Sequence, residues 1–380
     1  MHQVTPKALP LLAKTMSFDR RIFNFAAGPA TLPEEVLKQA ADEMLNWRGL
    51  GTSVMEISHR SKEFMEVYEE VVQDLRTLMN IPSNYEVLLL QGGGLGQNAA
   101  IPMNLMSLAK NGPKADYIVT GVWSDKSFKE AQKYGTANLA ATSVAEKFNT
   151  IPARNTWKLS NDAAYVLYCA NETIGGVEFP DVPNVGNIPL VADISSNILS
   201  KEMDITQCGV WFGGAQKNIG PSGVTIVIVR KDLIGHQMGI TPLIWDWSVQ
   251  AGTQSMINTP PTFSIYMAGL GFKWLLRQGG VKVIEKRNQE KADLLYQFLD
   301  QSSLYENRVE KQYRSRMNVT FFLKDESLNA EFLAQSNAAG LVALRGHKAA
   351  GGMRASIYNA MPIEGVKALI EFMRDFERRA

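Results

Sequence analysis

Cysteine is almost absent: Cys169 and Cys208 are the only two in 380 residues. No disulfide framework can hold such a chain, and both cysteines sit beside apolar runs as small core residues would, which fits a reducing cytosol. Histidine is also scarce, and His2, His59, His236 and His347 have no metal-ligand spacing, so no metal is expected. An excess of one charge is also missing. Lys+Arg 39 against Asp+Glu 38 leaves +1, so no global field draws in nucleic acid or an anionic membrane. Any anion must be held by local chemistry. Apolar runs such as Val224 to Val229 are strand-length, far short of the ~20 residues that span a bilayer. The patch Ala8 to Ala13 is broken by Pro10 and closed by Lys14, too short for a secretory core. Residues 1–15 are expected to be a flexible extension or tag, with Met16 as a possible start. Repeats and low-complexity linkers are absent too. What remains is a cytoplasmic enzyme.

What is present supports that class. Hydrophobic residues make up 45% and charged residues 20%, enough to bury a large core in two or three domains. Thr31-Leu32-Pro33-Glu34 predicts a helix start capped by Thr31, and a second helix is expected from about Ser61 to Leu78. Strand-like runs then alternate with helices: Glu86–Leu90, Tyr117–Thr120, Ala164–Cys169, Leu190–Ala192, Val210–Phe212 and Thr225–Val229. Runs apolar on both faces at this spacing predict an α/β fold with a mainly parallel sheet under helices. Near Gly269 the pattern shifts to long helices (Tyr266–Arg277, Val281–Leu299), then strands at Asn318–Leu323 and Arg354–Tyr358 around another helix. The expected division is an N-terminal segment (16–33) packing on the small domain, a large domain (34–283) and a small α+β domain (284–380).

Val87–Leu90 leads into Gln91-Gly92-Gly93-Gly94-Leu95-Gly96-Gln97 and then a helix expected from Asn98. Strand, glycines and helix N-terminus form an arrangement that binds phosphate, because free N–H groups and the dipole meet the anion. Gly94-x-Gly96-x-x-Ala99 also fits the looser dinucleotide pattern, which keeps a nicotinamide oxidoreductase open. That fold needs an acid at the far end of the next strand; Asp116 has the spacing but precedes the expected strand. Walker A is excluded, since Gln97 follows Gly96.

Leu190-Val191-Ala192-Asp193 ends a buried strand in a carboxylate, where open sheets place ligands. Gly213-Gly214-Ala215-Gln216-Lys217 puts a lysine after another strand, with small residues making room for a planar ligand. A phosphate loop, a strand-end Asp and a loop Lys together match pyridoxal 5'-phosphate. The lysine would bind the aldehyde, and the carboxylate would keep the pyridine nitrogen protonated.

Asn24-Phe25-Ala26-Ala27-Gly28-Pro29-Ala30, Gly51 to Arg60, Gly214 to Pro221, Asn258 to Thr262 and Gly351 to Asn359 resemble the phosphoserine aminotransferase family, from about Arg21 to the C-terminus. The resemblance implies fold type I of the pyridoxal-phosphate transferases, with a seven-stranded large-domain sheet, and a homodimer with shared sites. It further implies amino transfer between L-glutamate and 3-phosphohydroxypyruvate, with a four-carbon phosphorylated analogue as a second substrate in pyridoxine synthesis. By resemblance Lys217 is the Schiff-base lysine, Asp193 the partner of the ring nitrogen and Trp123 the stacking aromatic. Thr173, Gly94, Leu95 and Gln216 are further cofactor contacts, while Asn258 and Thr259 reach the phosphate from the other subunit. His59, Arg60, His347 and Lys348 would grip the distal anion, and Arg354 the α-carboxylate. His59-Arg60-Ser61-Lys62 is odd on its own terms, since it concentrates cations at a helix N-terminus. Leu95 and Lys348 stand where many members carry Arg. Lysine supplies a point charge instead of a planar fork. The rivals are another fold type I enzyme, such as a serine–glyoxylate aminotransferase or a cysteine desulfurase, and the nicotinamide oxidoreductase.

Overall fold

The computed structural model describes residues 21–380, so the expected extension over 1–15 and the possible start at Met16 lie outside the described residues. The chain opens with β1 (Phe23–Asn24), α1 (Glu34–Asp42) and α2 (Lys62–Met79). Then come β2 (Tyr85–Leu90), α3 (Gly93–Leu105), β3 (Lys114–Val119), α4 (Val122–Ala131), β4 (Thr136–Thr142) and β5 (Val166–Cys169). Two short strands, β6 (Asn171–Glu172) and β7 (Val177–Glu178), precede β8 (Leu190–Asp193), β9 (Val210–Gly214) and β10 (Thr225–Arg230). The remainder is α5 (Trp247–Gly252), α6 (Thr262–Arg277), α7 (Val281–Gln301), β11 (Tyr305–Glu306) and β12 (Asn318–Leu323). It closes with α8 (Asn329–Ala338), β13 (Leu341–Val342), β14 (Met353–Ser356) and α9 (Ile363–Arg379).

Seven strands form one sheet in the order β2-β10-β9-β8-β5-β3-β4. β10 runs antiparallel to both neighbours, and the other pairs are parallel. Six strands therefore end at the same edge, where an open α/β sheet collects its ligand-binding loops. Alternate residues face opposite cores: Val87, Leu89, Trp211 and Ile226 join one, and Leu88, Leu90, Phe212 and Val227 the other. Burial on both faces explains why these strands read as continuous apolar runs. A third core gathers α7, α8 and α9 on β12 and β14, and Phe25 of the N-terminal segment is buried in it. No described helix is long and apolar enough to cross a membrane.

Four local expectations need correction. Thr31 does not cap α1: Pro33 holds the cap position with no side-chain bond, and Thr31 Oγ1 donates to the Asn24 carbonyl. The α3 helix starts at Gly93, inside the glycine run. β3 begins at Lys114, so Asp116 lies within the strand, where it accepts from the Ser160 N–H and hydroxyl and from Asn138 Nδ2. The edge strand β4 has no counterpart among the expected strands, because its alanines, threonines and asparagine make no apolar run.

Candidate active site

Each chemically marked segment leaves the sheet at its shared edge. Gln91 to Gly94 follows β2, Gly121 to Trp123 follows β3, Asn171 to Thr173 follows β5, Asp193 ends β8 and Gln216-Lys217 follows β9. Gly92 (φ 92°) and Gly93 (φ 64°) take the left-handed backbone that turns the chain into α3. The first turn of α3 carries no acidic residue and no side-chain cap, which leaves its N–H groups for an anion. Leu95 is 57% exposed, so it contributes backbone and no charge.

Lys217 is partly buried, and its Nζ donates to Thr173 Oγ1 at 2.7 Å. The same atom lies 4.9 Å from the centre of the Trp123 ring. Burial lowers the lysine pKa; Asp193, Cys169 and Glu172 oppose that shift, and Arg354 adds to it. An amine eased toward neutrality can take and return a proton. Asp193 is 8% exposed, and its Oδ1 accepts from the Ser195 N–H at 2.9 Å and the Ser195 hydroxyl at 2.6 Å. Ser195 Oγ in turn accepts from the Gly214 N–H at 3.3 Å. A side chain at Gly213 would meet Ser195 Cα at 3.0 Å, so glycine lets the lysine strand approach the aspartate loop. The Ala30 N–H donates to the Gln216 carbonyl, seating the N-terminal segment over the lysine loop.

Arg354, on β14, donates from Nη1 to the Thr173 carbonyl at 3.3 Å, while its buried Nε has no partner. Burial lowers its pKa, and Tyr358 opposes that. No carboxylate among the described residues pairs with it. His347 is nearby: burial lowers its pKa, followed by the charges of Arg354, Lys126 and Lys348. Lys348 is exposed. The molecule thus joins Lys217, Thr173, Trp123, Asp193 and Arg354 in one cluster, with His347 and Lys348 at its margin.

His59, Arg60, Asn258 and Thr259 stand apart; among the described residues no bond links them to Lys217 in the same chain. Buried His59 Nε2 has no partner, and Arg60 is exposed. Ser61 caps α2, accepting from the Phe64 N–H at 3.4 Å. The Thr259 carbonyl accepts from Gln91 Nε2 at 3.3 Å, so that pair sits beside the glycine turn.

Pyridoxal phosphate fits this donor set. Lys217 offers an amine for its aldehyde, α3 an uncapped N-terminus for its phosphate, Asp193 a fixed carboxylate for its ring nitrogen and Trp123 a ring face beside the amine. Two features escaped the sequence reading. Glu172 is fully buried and bonded to the start of α4, and Lys126 Nζ lies 4.6 Å from the Trp123 ring centre. Glu172 stands in the polar run Asn171-Glu172-Thr173, where the sequence carries no mark of its burial.

Residues 22–369 match the family description Aminotransferase class-V. The chain belongs to the class-V aminotransferases, on fold type I of the pyridoxal-phosphate transferases. Proteins named phosphoserine aminotransferase are among its relatives at 57–62% identity over nearly the full length. The protein of that name from Paraburkholderia phymatum is 62% identical over 360 residues, covering 94% of this chain and 99% of the relative. The solved phosphoserine aminotransferase of Bacillus circulans subsp. alkalophilus superposes with a TM-score of 0.92 at 43% identity, covering 94% of this chain and 99% of that one. The pyridoxal-phosphate-bound enzyme from Trichomonas vaginalis gives 0.89 at 42%, covering 93% and 100%.

Proposed function

We propose that this chain transfers the amino group of L-glutamate to 3-phosphohydroxypyruvate, giving O-phospho-L-serine and 2-oxoglutarate, with pyridoxal phosphate as its cofactor. The carrying observation is the Lys217 amine, bonded to Thr173 and set beside the Trp123 ring at the sheet edge that holds Asp193. Full-length identity to phosphoserine aminotransferases supports the choice of substrates.

Bound pyridoxal phosphate supplies an aldehyde and a pyridinium ring that accepts electrons from the substrate α-carbon. The rest is the work of this chain's residues. Lys217 would hold the cofactor through Nζ, then take the α-proton and return it to the reacting carbon. Asp193, fixed by Ser195, would keep the ring nitrogen protonated. Gly94, Leu95, Thr173 and Gln216 would line the cofactor, with the amides of α3 on the phosphate. Arg354 would orient the α-carboxylate with its planar fork. His59, Arg60, His347 and Lys348 would hold the distal phosphate or carboxylate.

A homodimer belongs to the same reading, with Asn258 and Thr259 reaching the partner's cofactor phosphate. Large apolar side chains left exposed, such as Leu45, Ile240 and Leu243, are area that a second copy would cover. We take 34–283 as the cofactor domain and 284–380 as the small domain, a division supported by the core that α7, α8 and α9 build with β12 and β14, while Ile284 and Val309 pack into the large-domain core. A cytoplasmic place is supported by two free buried cysteines. Use of the four-carbon phosphorylated substrate of pyridoxine synthesis extends the proposal.

The test is the purified protein with pyridoxal phosphate, L-glutamate and 3-phosphohydroxypyruvate, assayed for 2-oxoglutarate. Formation of 2-oxoglutarate in step with phosphoserine is expected. No product, or a preference for glyoxylate as acceptor, overturns the reading.

A further inference from the structure

We infer that Glu172 is the positioning residue that holds Trp123 against Lys217, and that without its carboxylate the cofactor ring loses its stacking face. The inference rests on the proposed cofactor chemistry and adds to it a residue that touches neither cofactor nor substrate.

Glu172 is 0% exposed. Its Oε2 accepts from the Trp123 N–H at 3.0 Å, and its Oε1 accepts from the Ser124 N–H at 2.9 Å and the Ser124 hydroxyl at 2.5 Å. All three partners are donors. An acceptor-only group satisfies them, and that is the ionised carboxylate. Burial and the charge of Asp193 raise the Glu172 pKa, and the Ser124 hydroxyl, the Ser124 N–H and the Trp123 N–H offset part of that rise by bonding the ionised form. The N-terminus of α4, a ten-residue helix, favours the same negative charge.

The neighbourhood is built around this carboxylate. A Cβ at Gly121 would fall 2.3 Å from Glu172 Cδ, so only glycine admits the side chain to the turn between β3 and α4. On one side of Glu172, Asn171 Nδ2 donates to Ser196 Oγ and Asn318 Oδ1, each at 2.9 Å. On the other side, Thr173 Oγ1 accepts from Lys217 Nζ. Three consecutive residues thus anchor the turn to the sheet, fix the helix that carries Trp123 and hold the lysine amine. Glutamine is no substitute, because its amide NH2 would face an N–H on one side or the other.

A merely structural helix cap and a positioning residue differ in how they couple to Trp123. The experiment is a double-mutant cycle on cofactor affinity, with wild type, Glu172→Gln, Trp123→Ala and the double variant. Each apoprotein is dialysed against graded pyridoxal phosphate and the bound fraction read from visible absorbance. Glu172→Gln is expected to weaken binding at least tenfold, and in the Trp123→Ala background to change it less than twofold. Wild-type affinity in Glu172→Gln, or single effects that multiply in the double variant, overturns the inference. If Glu172→Gln does not fold, Ser124→Ala, which removes the hydroxyl that donates to Glu172, is read in the same cycle by the same criterion. A wild-type apoprotein that takes up no pyridoxal phosphate overturns the proposed function as well; uptake with multiplying effects overturns this inference alone.

Discussion

The Lys217 amine donates to the Thr173 hydroxyl across 2.7 Å, and the carbonyl of the same threonine accepts from Arg354. One residue thereby fixes the distance between the group that would move the α-proton and the group that would hold the α-carboxylate. Thr173→Val keeps the shape and removes the hydroxyl. We expect kcat to fall about 2- to 12-fold, the worth of one hydrogen bond of roughly 0.5–1.5 kcal/mol. Lys217→Ala should still bind pyridoxal phosphate and lose about 10²–10⁴-fold in turnover. Single-turnover kinetics with glutamate would check both, and substantial turnover in Lys217→Ala would show that another group is the base.

Arg60 sits just before the N-terminus of α2, where a cation is disfavoured unless an anion joins it. Glu56, the obvious local partner, is occupied by the Ser53 N–H and the Thr52 hydroxyl, and among the described residues no carboxylate pairs with Arg60. Arg60→Ala is expected to raise KM for glutamate and for phosphohydroxypyruvate by a charge-assisted bond's ~1.5–3 kcal/mol, with cofactor absorbance unchanged. Steady-state kinetics on both substrates decide it; KM values equal to wild type would make the residue structural.

Lys291, almost fully buried in the third core, donates to the carbonyls of Ile357, Tyr358 and Met361 at 2.7–3.0 Å. Burial pushes its pKa down to about 7, with the Arg287 charge adding to the shift. Below pH 7 the amine is protonated whether the chain is folded or unfolded. Between pH 7 and about 10.4 the unfolded chain holds the proton and the folded chain gives it up, keeping two of the three bonds as a neutral amine, so this group makes stability rise with pH. Urea unfolding of wild type and Lys291→Met at pH 7 and pH 9 should show wild type gaining on the variant by up to ~1.4 kcal/mol per unit. A difference that is flat or shrinks with pH contradicts this.

Asn318 bridges strand β12 to Asn171 in the large sheet's edge loops and to Ser356 and Tyr358 beside it. Tyr358 continues the chain by donating to the Ala27 carbonyl at 2.7 Å. Asn318→Leu strips partners from buried polar groups and is expected to cost about 1–3 kcal/mol for each one left unsatisfied. Equilibrium urea unfolding would measure it, and a loss below 0.5 kcal/mol would mean the network adds nothing to stability.

Much of the candidate site is legible in the sequence because its chemistry coincides with breaks in pattern. Asp193 ends an apolar run, Lys217 follows two glycines, and three glycines precede a helix, so each stands out against the hydrophobic background. Trp123 did not, since an aromatic after a strand reads equally well as core; the resemblance alone marked it. Glu172 is not legible beside Thr173, because a lone acid at the end of a short strand has the same sequence signature whether solvated or fully buried.

By itself the sequence determined the alternation of doubly buried strands and helices, and with it a mainly parallel sheet whose loops gather at one edge. That follows from burial: a strand covered on both faces must be apolar throughout, and its polar residues are pushed to its ends. Only the tertiary structure decided which ends meet. The order β2-β10-β9-β8-β5-β3-β4 brings residues 121–123, 171–173 and 214–217 together across long sequence separations. Local preference carries no record of such contacts, because hydrogen bonds such as Glu172 to Trp123 are satisfied only once the sheet has closed the distance.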